Sequence, residues 1–340
     1  MRTFGWLLVL GSVVLGCRDE SGGPASPLQR NAAIIPAGLT EVTVAPILIA
    51  RDINDQGVVV GPLTPFPNSR AGVRYPDGRV INLGVLPGDH WSDASAVNNV
   101  GQVVGRSGNN TTGVIRAFIW DAERGMRWLG TLGGGVDQPA SINDRGVVVG
   151  TSQLTAGSVY PTTAFLWQSN AGMTDLGALI GDRAGSGAFD INARGQVVGT
   201  SVRGPFLWQR DLSTTFLPFP QGASAEGINA QGAIVGSYFN ASLGKNQAYR
   251  WSLATGFVTL SPASADHGAS TAISDDGTVV GIVISGGVVR AFVFRDVFDS
   301  ALGFSGAEGV NNCGVASGFT SSVGAIWVPS GVPLTGICPR

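Results

Sequence analysis

Ile53-Asn54-Asp55-Gln56-Gly57-Val58-Val59-Val60-Gly61 is a phrase that the chain writes seven times. It returns as VNNVGQVVG from Val97, INDRGVVVG from Ile142, INARGQVVG from Ile191, INAQGAIVG from Ile228, ISDDGTVVG from Ile273 and VNNCGVASG from Val310. The copies start 37 to 49 residues apart, a period that belongs to stacked repeat architectures rather than to one irregular core. Within each copy, Asn followed by a polar pair and Gly is hairpin chemistry. Gly supplies φ > 0 cheaply, and Asn bonds its own local backbone. The β-branched pair that follows suits a buried strand.

A second phrase follows each copy and ends in an aromatic residue. It reads Arg116-Ala117-Phe118-Ile119-Trp120, Thr163-Ala164-Phe165-Leu166-Trp167, Pro205-Phe206-Leu207-Trp208, Ala248-Tyr249-Arg250-Trp251 and Arg290-Ala291-Phe292-Val293-Phe294, with weaker versions at Val73-Arg74-Tyr75 and Ala325-Ile326-Trp327. A short Gly-containing turn then leads to a fourth strand, such as VINLG from Val80 or MRWLG from Met126. No helical period runs through the chain after its first segment. Four short antiparallel strands per unit and seven units have the dimensions of an all-β, seven-bladed β-propeller of four-stranded antiparallel blades. The terminal aromatics read as filler between blades. A paired β-sandwich or a β-solenoid is the competing architecture, but solenoid repeats are shorter and lack a four-strand cycle.

Composition sets the remaining bounds. Apolar residues are 44% of the 340, enough for a large core, so wholesale disorder is excluded. Net charge is −2, and Lys245 is the one lysine among 21 basic residues, so no basic field exists for nucleic acid. His90 and His267 are the two histidines, too few for a His-rich metal site.

The first segment reads as an address. Arg2 precedes the 12-residue apolar run Phe4 to Leu15, which is too short to span a bilayer and suits the core of a signal peptide. Val14-Leu15-Gly16-Cys17 resembles the lipobox of bacterial lipoproteins, in which the cysteine is lipidated and becomes the new N-terminus. The expected organisation is a signal peptide over 1–16, lipidated Cys17 with a Gly/Ser/Pro-rich tether over 17–37, and one repeat domain over 38–340. Export to the cell envelope, held at the outer membrane or cell surface through acyl chains, follows from that reading. A monomer is expected.

The phrase IN-x-x-G-x-VVG, the Ala-Phe-x-Trp strand and Leu129-Gly130-Thr131-Leu132-Gly133-Gly134 together resemble the HAF-repeat extracellular proteins of bacteria. The likeness covers roughly residues 38 to 337. The tripeptide that names that family begins with His, whereas this chain has Arg116, Thr163 or Arg290 there. The resemblance implies an exported repeat protein and brings no reaction with it.

Labelling the strands a to d, the Asn-x-x-Gly turns join a to b on one face, and the d-to-a connections lie on the other, near the channel mouth. Those connections place Asp89, Asp137, Asp182 and Asp266 at nearly corresponding points, with His90 and His267 beside two of them. A functional reading makes this a polar ring for a cation or a sugar, with Trp91 as a stacking surface. The plainer reading is turn chemistry in solvated loops, where Asp137 would be dispensable. Asp55, Asp144 and Asp275, in the a–b turns, read as structural. No catalytic residue, metal-ligand set or cofactor motif emerges, since GxSxG, HExxH, P-loop, CxxC and EF-hand spacings are all missing. A non-catalytic binding module for a glycan or an envelope protein is the expected function, with a polysaccharide-acting hydrolase or lyase as the alternative and a purely structural envelope protein as a third.

Cys313 and Cys338 pose a geometric problem. Export favours a disulfide, yet if Val332 to Ile337 formed strand d of the seventh unit the two would lie on opposite faces. Pairing therefore requires the tail to leave that path, with Leu39 to Val44 supplying the outer strand of the closing blade.

Overall fold

A computed structural model describes residues 39–155, 162–220, 222–295, 298–299, 305–320, 323–333, 335 and 337–338. The signal segment, Cys17 and the tether lie outside the described residues. The chain forms seven four-stranded antiparallel sheets arranged in a ring, with one short helix, Leu176–Leu179. Blade 2 shows the pattern: strand a is Trp91–Val97, b is Val103–Gly108, c is Ile115–Asp121 and d is Gly125–Trp128. Strands a of successive blades lie beside one another from blade 1 round to blade 7 and back, so they form the inner wall.

Strand b is the most deeply buried of the four. Val59, Val60, Val103, Val104, Val148, Val149, Val197, Val198, Ile234, Val235, Val279 and Val280 are all fully buried. Neighbouring blades cover both faces of each sheet, which is why the sequence shows an apolar run there and not an alternation. Phe118, Phe165, Phe206, Tyr249 and Phe292 from strand c are likewise inaccessible and fill the gaps between sheets. Trp120, Trp167 and Trp208 pack beside them, as filler.

The glycine that ends each repeat phrase has a steric cause. Strand a carries a bulge in blades 2, 3, 4, 6 and 7, for example between Ala94 and Ala96. In all seven blades a carbonyl presses onto the strand-b glycine, from strand a itself or, in blades 1 and 5, from the residues just before it. A Cβ at Gly61, Gly105, Gly150, Gly199, Gly236, Gly281 or Gly318 would overlap, respectively, the carbonyl oxygen of Ile49, Asp93, Gln138, Gly187, Ser224, Ala269 or Gly306. The obstacle is backbone, so it cannot swing aside.

Ring closure uses both ends of the chain. Strand d of blade 7 is Leu39–Thr43, paired antiparallel with Val323–Pro329 from Leu39↔Pro329 to Thr43↔Ala325. Among the described residues of the expected strand, Val332, Pro333, Thr335 and Ile337 are not part of that sheet. The tail instead crosses the seam to blade 1, where Ile337 bridges Gln56 and the Cys338 N–H donates to the Asp55 carbonyl (2.9 Å). There Cys338 meets Cys313 of the blade 7 turn in a disulfide, with a Cα–Cα separation of 5.4 Å.

The steric account gives a stability expectation. Gly199→Ala forces a Cβ against the Gly187 carbonyl and should cost about 1–3 kcal/mol or more, as overpacked cores do. Gly172→Ala, at φ +71° in an open c–d turn with nothing within 4 Å, should cost about 1–2 kcal/mol, from backbone conformation alone. Chemical denaturation of both variants checks the order; a Gly172→Ala loss exceeding that of Gly199→Ala would contradict it.

Candidate functional site

The two faces of the ring differ in what their polar side chains do. On the back face, formed by the a–b and c–d turns, the repeat asparagines join the blades. Asn54 Nδ2 donates to the Asn98 carbonyl (2.9 Å), Asn98 to Asn143 (3.0 Å), Asn143 to Asn192 (3.2 Å), Asn192 to Asn229 (2.9 Å), Asn229 to Ser274 (3.1 Å) and Asn311 to Asn54 (3.1 Å). Each of these asparagines also accepts, through Oδ1, the N–H groups two and four residues on, as Asn54 does from Gln56 and Val58 (both 3.0 Å). One side chain thus shapes its own turn and clips the next blade. Ser274 of blade 6 is too short to continue the series, and its hydroxyl instead donates to Asp276.

The next residue repeats the device. Asn99 Oδ1 accepts from the Asp55 N–H (2.9 Å), Asp144 from Asn99 (2.7 Å), Asp275 from Ala230 (2.7 Å), Asn312 from Asp275 (3.0 Å) and Asp55 from Asn312 (2.9 Å). Asp55, Asp144 and Asp275 are therefore inter-blade acceptors, which is the structural role expected of them.

On the front face, which carries the d–a and b–c connections, the residues marked in the sequence are held mostly within their own blades. Asp89 forms an ion pair with Arg116 (2.7 Å), and Asp182 faces Arg203 (3.7 Å). Asp266 accepts from the Gly286 N–H (2.7 Å) and lies 3.8 Å from Lys245 of blade 5. His90 is exposed, and its Nδ1 accepts from the Asn110 N–H (3.0 Å). His267 opens strand a of blade 6, and burial holds its imidazole below the usual histidine range.

Two expectations are corrected. Trp91 is 8% exposed, sits against Gly108 and meets Phe66 edge-on at 5.9 Å, so it is core and not a stacking surface. Asp137 is no solvated-loop residue. It is 2% exposed, accepts from Ser152 Oγ (2.6 Å) and Thr131 Oγ1 (3.2 Å), and burial pushes its carboxyl up to about 6. The seven marked residues are spread over blades 2, 3, 4 and 6, with Trp91 and Asp137 inside, and each has its own local partners. Among the described residues no group of three His, Cys, Asp or Glu side chains could hold a metal ion.

The sequence reading missed the acids of the inner wall. Asp52 and Asp190 stand two residues before the repeat asparagine, where the other blades have Ala96, Ser141, Gly227, Ala272 and Gly309. Asp52 Oδ2 accepts from the Val97 N–H of blade 2 (2.9 Å), and Asp190 Oδ2 from the Ile228 N–H of blade 5 (2.8 Å). Asp190 also takes Ser141 Oγ of blade 3 (2.7 Å). Each keeps part of its surface open, yet protein crowds it closely enough that desolvation dominates. Burial pushes Asp52 up to about 7, with the charge of Asp190, three blades away, adding to the rise. Burial raises Asp190 and Glu226 as well. A neighbouring cluster joins Arg51 to Asp93 (3.5 Å) and Glu308 (3.9 Å), with Arg106 also on Asp93 (3.4 Å). A column of residue types aligned on the repeat asparagine was the available signal, since a carboxylate among Ala and Gly stands out.

With this geometry in view, comparison with known proteins finds no matching family model and no matching curated protein. Solved structures do match. The β-propeller domain of the Trilobed protease from Pyrococcus furiosus superposes with a TM-score of 0.56 at 11% identity, over 81% of this chain and 90% of that one. TolB from Acinetobacter baumannii gives 0.52 at 13%, over 81% and 68%, and the Pyrococcus horikoshii acylaminoacyl peptidase gives 0.54 at 11%, over 82% and 50%. The likeness is one of fold. The first of these is described as having an open velcro topology, whereas here Leu39–Thr43 pairs into blade 7.

The inner-wall acids make stability depend on pH. Asp52 is raised in the folded state, from 3.8 to about 7. Its contribution is therefore fully present below the unfolded value and is lost as pH climbs through the folded one. Tm should fall between about pH 4 and pH 8, with Asp52 accounting for on the order of 2–4 kcal/mol of that loss. Asp52→Asn should flatten the profile in calorimetry; an unchanged slope would contradict the assignment.

Proposed function

We propose that this protein is an exported lipoprotein, anchored through Cys17, that works as a non-catalytic binding propeller for a protein of the cell envelope. The lipobox-like Val14-Leu15-Gly16-Cys17 and the resemblance to HAF-repeat extracellular proteins support the address. The described chain enters the ring at Leu39, opposite Pro329 at the back-face end of strand c.

The observation that carries the binding role is an apolar rim on the front face. Val202 is 74% exposed in the b–c turn of blade 4, and Phe239 is 47% exposed near the front-face end of strand b of blade 5, with Leu179 of the short helix and Leu243 of the blade 5 b–c turn also exposed. Exposed apolar side chains on neighbouring blades of one face support reading that face as an interaction surface. Around them the ionic groups are tied down: Arg203 pairs with Asp182 and also stacks on Phe216 at 3.8 Å, and Arg183 pairs with Asp175 (2.6 Å). Such a rim offers a fixed shape and pattern instead of free acids and bases. The inner-wall acids Asp52 and Asp190 do not favour the hydrolase or lyase reading, since their oxygens are already engaged by backbone N–H groups.

Two measurements test the proposal. Metabolic labelling with a palmitate analogue should mark wild type, and Cys17→Ser should lose both the label and the membrane fraction. A photo-crosslinking residue at Val202 or Phe239 should capture a discrete envelope protein in intact cells, while one at the back-face Val100, which is 64% exposed, should not. Unlabelled wild type would overturn the anchor; equal capture from Val100 would overturn the front-face assignment.

A further inference from the structure

The residue between the two aromatics of strand c faces the next blade and is normally aliphatic. Ile119 packs with Ile142 and Val148 of blade 3, and Leu166, Val293 and Ile326 are equally buried in their seams. Blade 5 breaks this rule with Arg250, which stands opposite Val235 as Ile119 stands opposite Val104. It is half-buried and makes no hydrogen bond or ion pair among the described residues. Placing a cation at an apolar seam without an anion is unfavourable, so such a departure from the repeat points to a ligand.

Arg74 of blade 1 stands one place further along strand c, opposite Val59, where blade 2 has Trp120 opposite Val103. Arg74 Nε is closed off inside its seam. Arg250 opens instead onto a back-face groove of about 350 Å³ between blades 5 and 6, lined also by Asn229, Gln231, Ser252, Leu253 and Gly277. Its guanidinium lies 5.8 Å from the centre of the Phe294 ring, at the outer range of a cation–π contact. The nearby acids are occupied: Asp275 accepts from the Ala230 N–H, and Asp276 from Ser274 Oγ and the Thr278 N–H. Asn229 is committed to the asparagine series. The Gln231 side chain has no hydrogen-bond partner among the described residues, and Leu253 is 93% exposed at the edge.

We propose that this groove binds the carboxylate of an acidic sugar, a uronic-acid unit. A guanidinium matches a carboxylate with two parallel N–H···O bonds. The Gln231 amide offers both a donor and an acceptor to a neighbouring hydroxyl, and Leu253 offers an apolar edge to the sugar ring. A neutral sugar would leave Arg250 unpaired, and a cationic one would be repelled. The site lies on the opposite face from the apolar rim and is independent of it.

The test is titration of the intact protein with digalacturonate, its neutral methyl ester and inorganic phosphate, by calorimetry and by thermal shift. Wild type should bind digalacturonate and gain Tm with concentration, as any ligand of the native state confers. Arg250→Leu installs the residue type that blades 3 and 4 carry at this register, so it should fold, and it should bind at least tenfold more weakly. The methyl ester should be equally weak on wild type, and Arg74→Leu should leave binding unchanged. Absence of binding at millimolar sugar, full binding by folded Arg250→Leu, or phosphate binding as tightly as the uronate would each overturn the proposal. None of these outcomes bears on the crosslinks from Val202 and Phe239.

Discussion

A buried asparagine amide that reaches the carbonyl of the next blade is the contact on which the ring depends. A four-stranded blade cannot bury both faces by itself, so its stability is a property of its seams. Apolar burial along strand b supplies the general attraction but little direction. The amide series Asn54, Asn98, Asn143, Asn192, Asn229 and Asn311 fixes direction, because each donor finds its acceptor only when the adjacent turn is in register. A hydrogen bond of this kind contributes about 1 kcal/mol net, and leaving its carbonyl unpaired in a buried seam costs about 1–3 kcal/mol.

The other repeat positions follow from that constraint. Turns locked together at the back face set the height of each strand a, and a carbonyl in strand a or just before it then presses on the strand-b glycine in every blade. Asp52 and Asp190 add to the same seams from the axis side, at the expense of holding carboxylates where burial disfavours their charge. Closure falls on blade 7, where two separate devices meet: the N-terminal strand completes the sheet, and the Cys313–Cys338 bridge pins the tail at the seam with blade 1.

Much of the fold was legible in the sequence because a propeller states its plan seven times. Strand order, blade number and the closing role of Leu39–Thr43 all followed from spacing. What the spacing concealed was the second task of single residues. Asn143 reads as a turn former, and only the neighbouring blade reveals it as a clip. Gly199 reads as a breaker, and only the carbonyl of Gly187 explains it. The front-face aspartates were found by position, but Asp89 and Asp182 turned out to be answered by Arg116 and Arg203, and Asp137 and Trp91 to be interior. Asp52, Asp190 and Arg250 were harder to notice. Each is one exception in a column of Ala, Gly or aliphatic residues, significant only after the columns have been aligned by the fold.

The most direct test of the account is Asn143→Ala, read by amide hydrogen exchange together with denaturant unfolding. If the amide series holds the seams, the variant should lose about 2–3 kcal/mol, and exchange should accelerate at Arg145 and Val147, which rely on Asn143 Oδ1, as well as in the facing turn of blade 4. Acceleration confined to blade 3, with blade 4 as protected as in wild type, would show that the asparagine shapes its own turn and does not hold the ring.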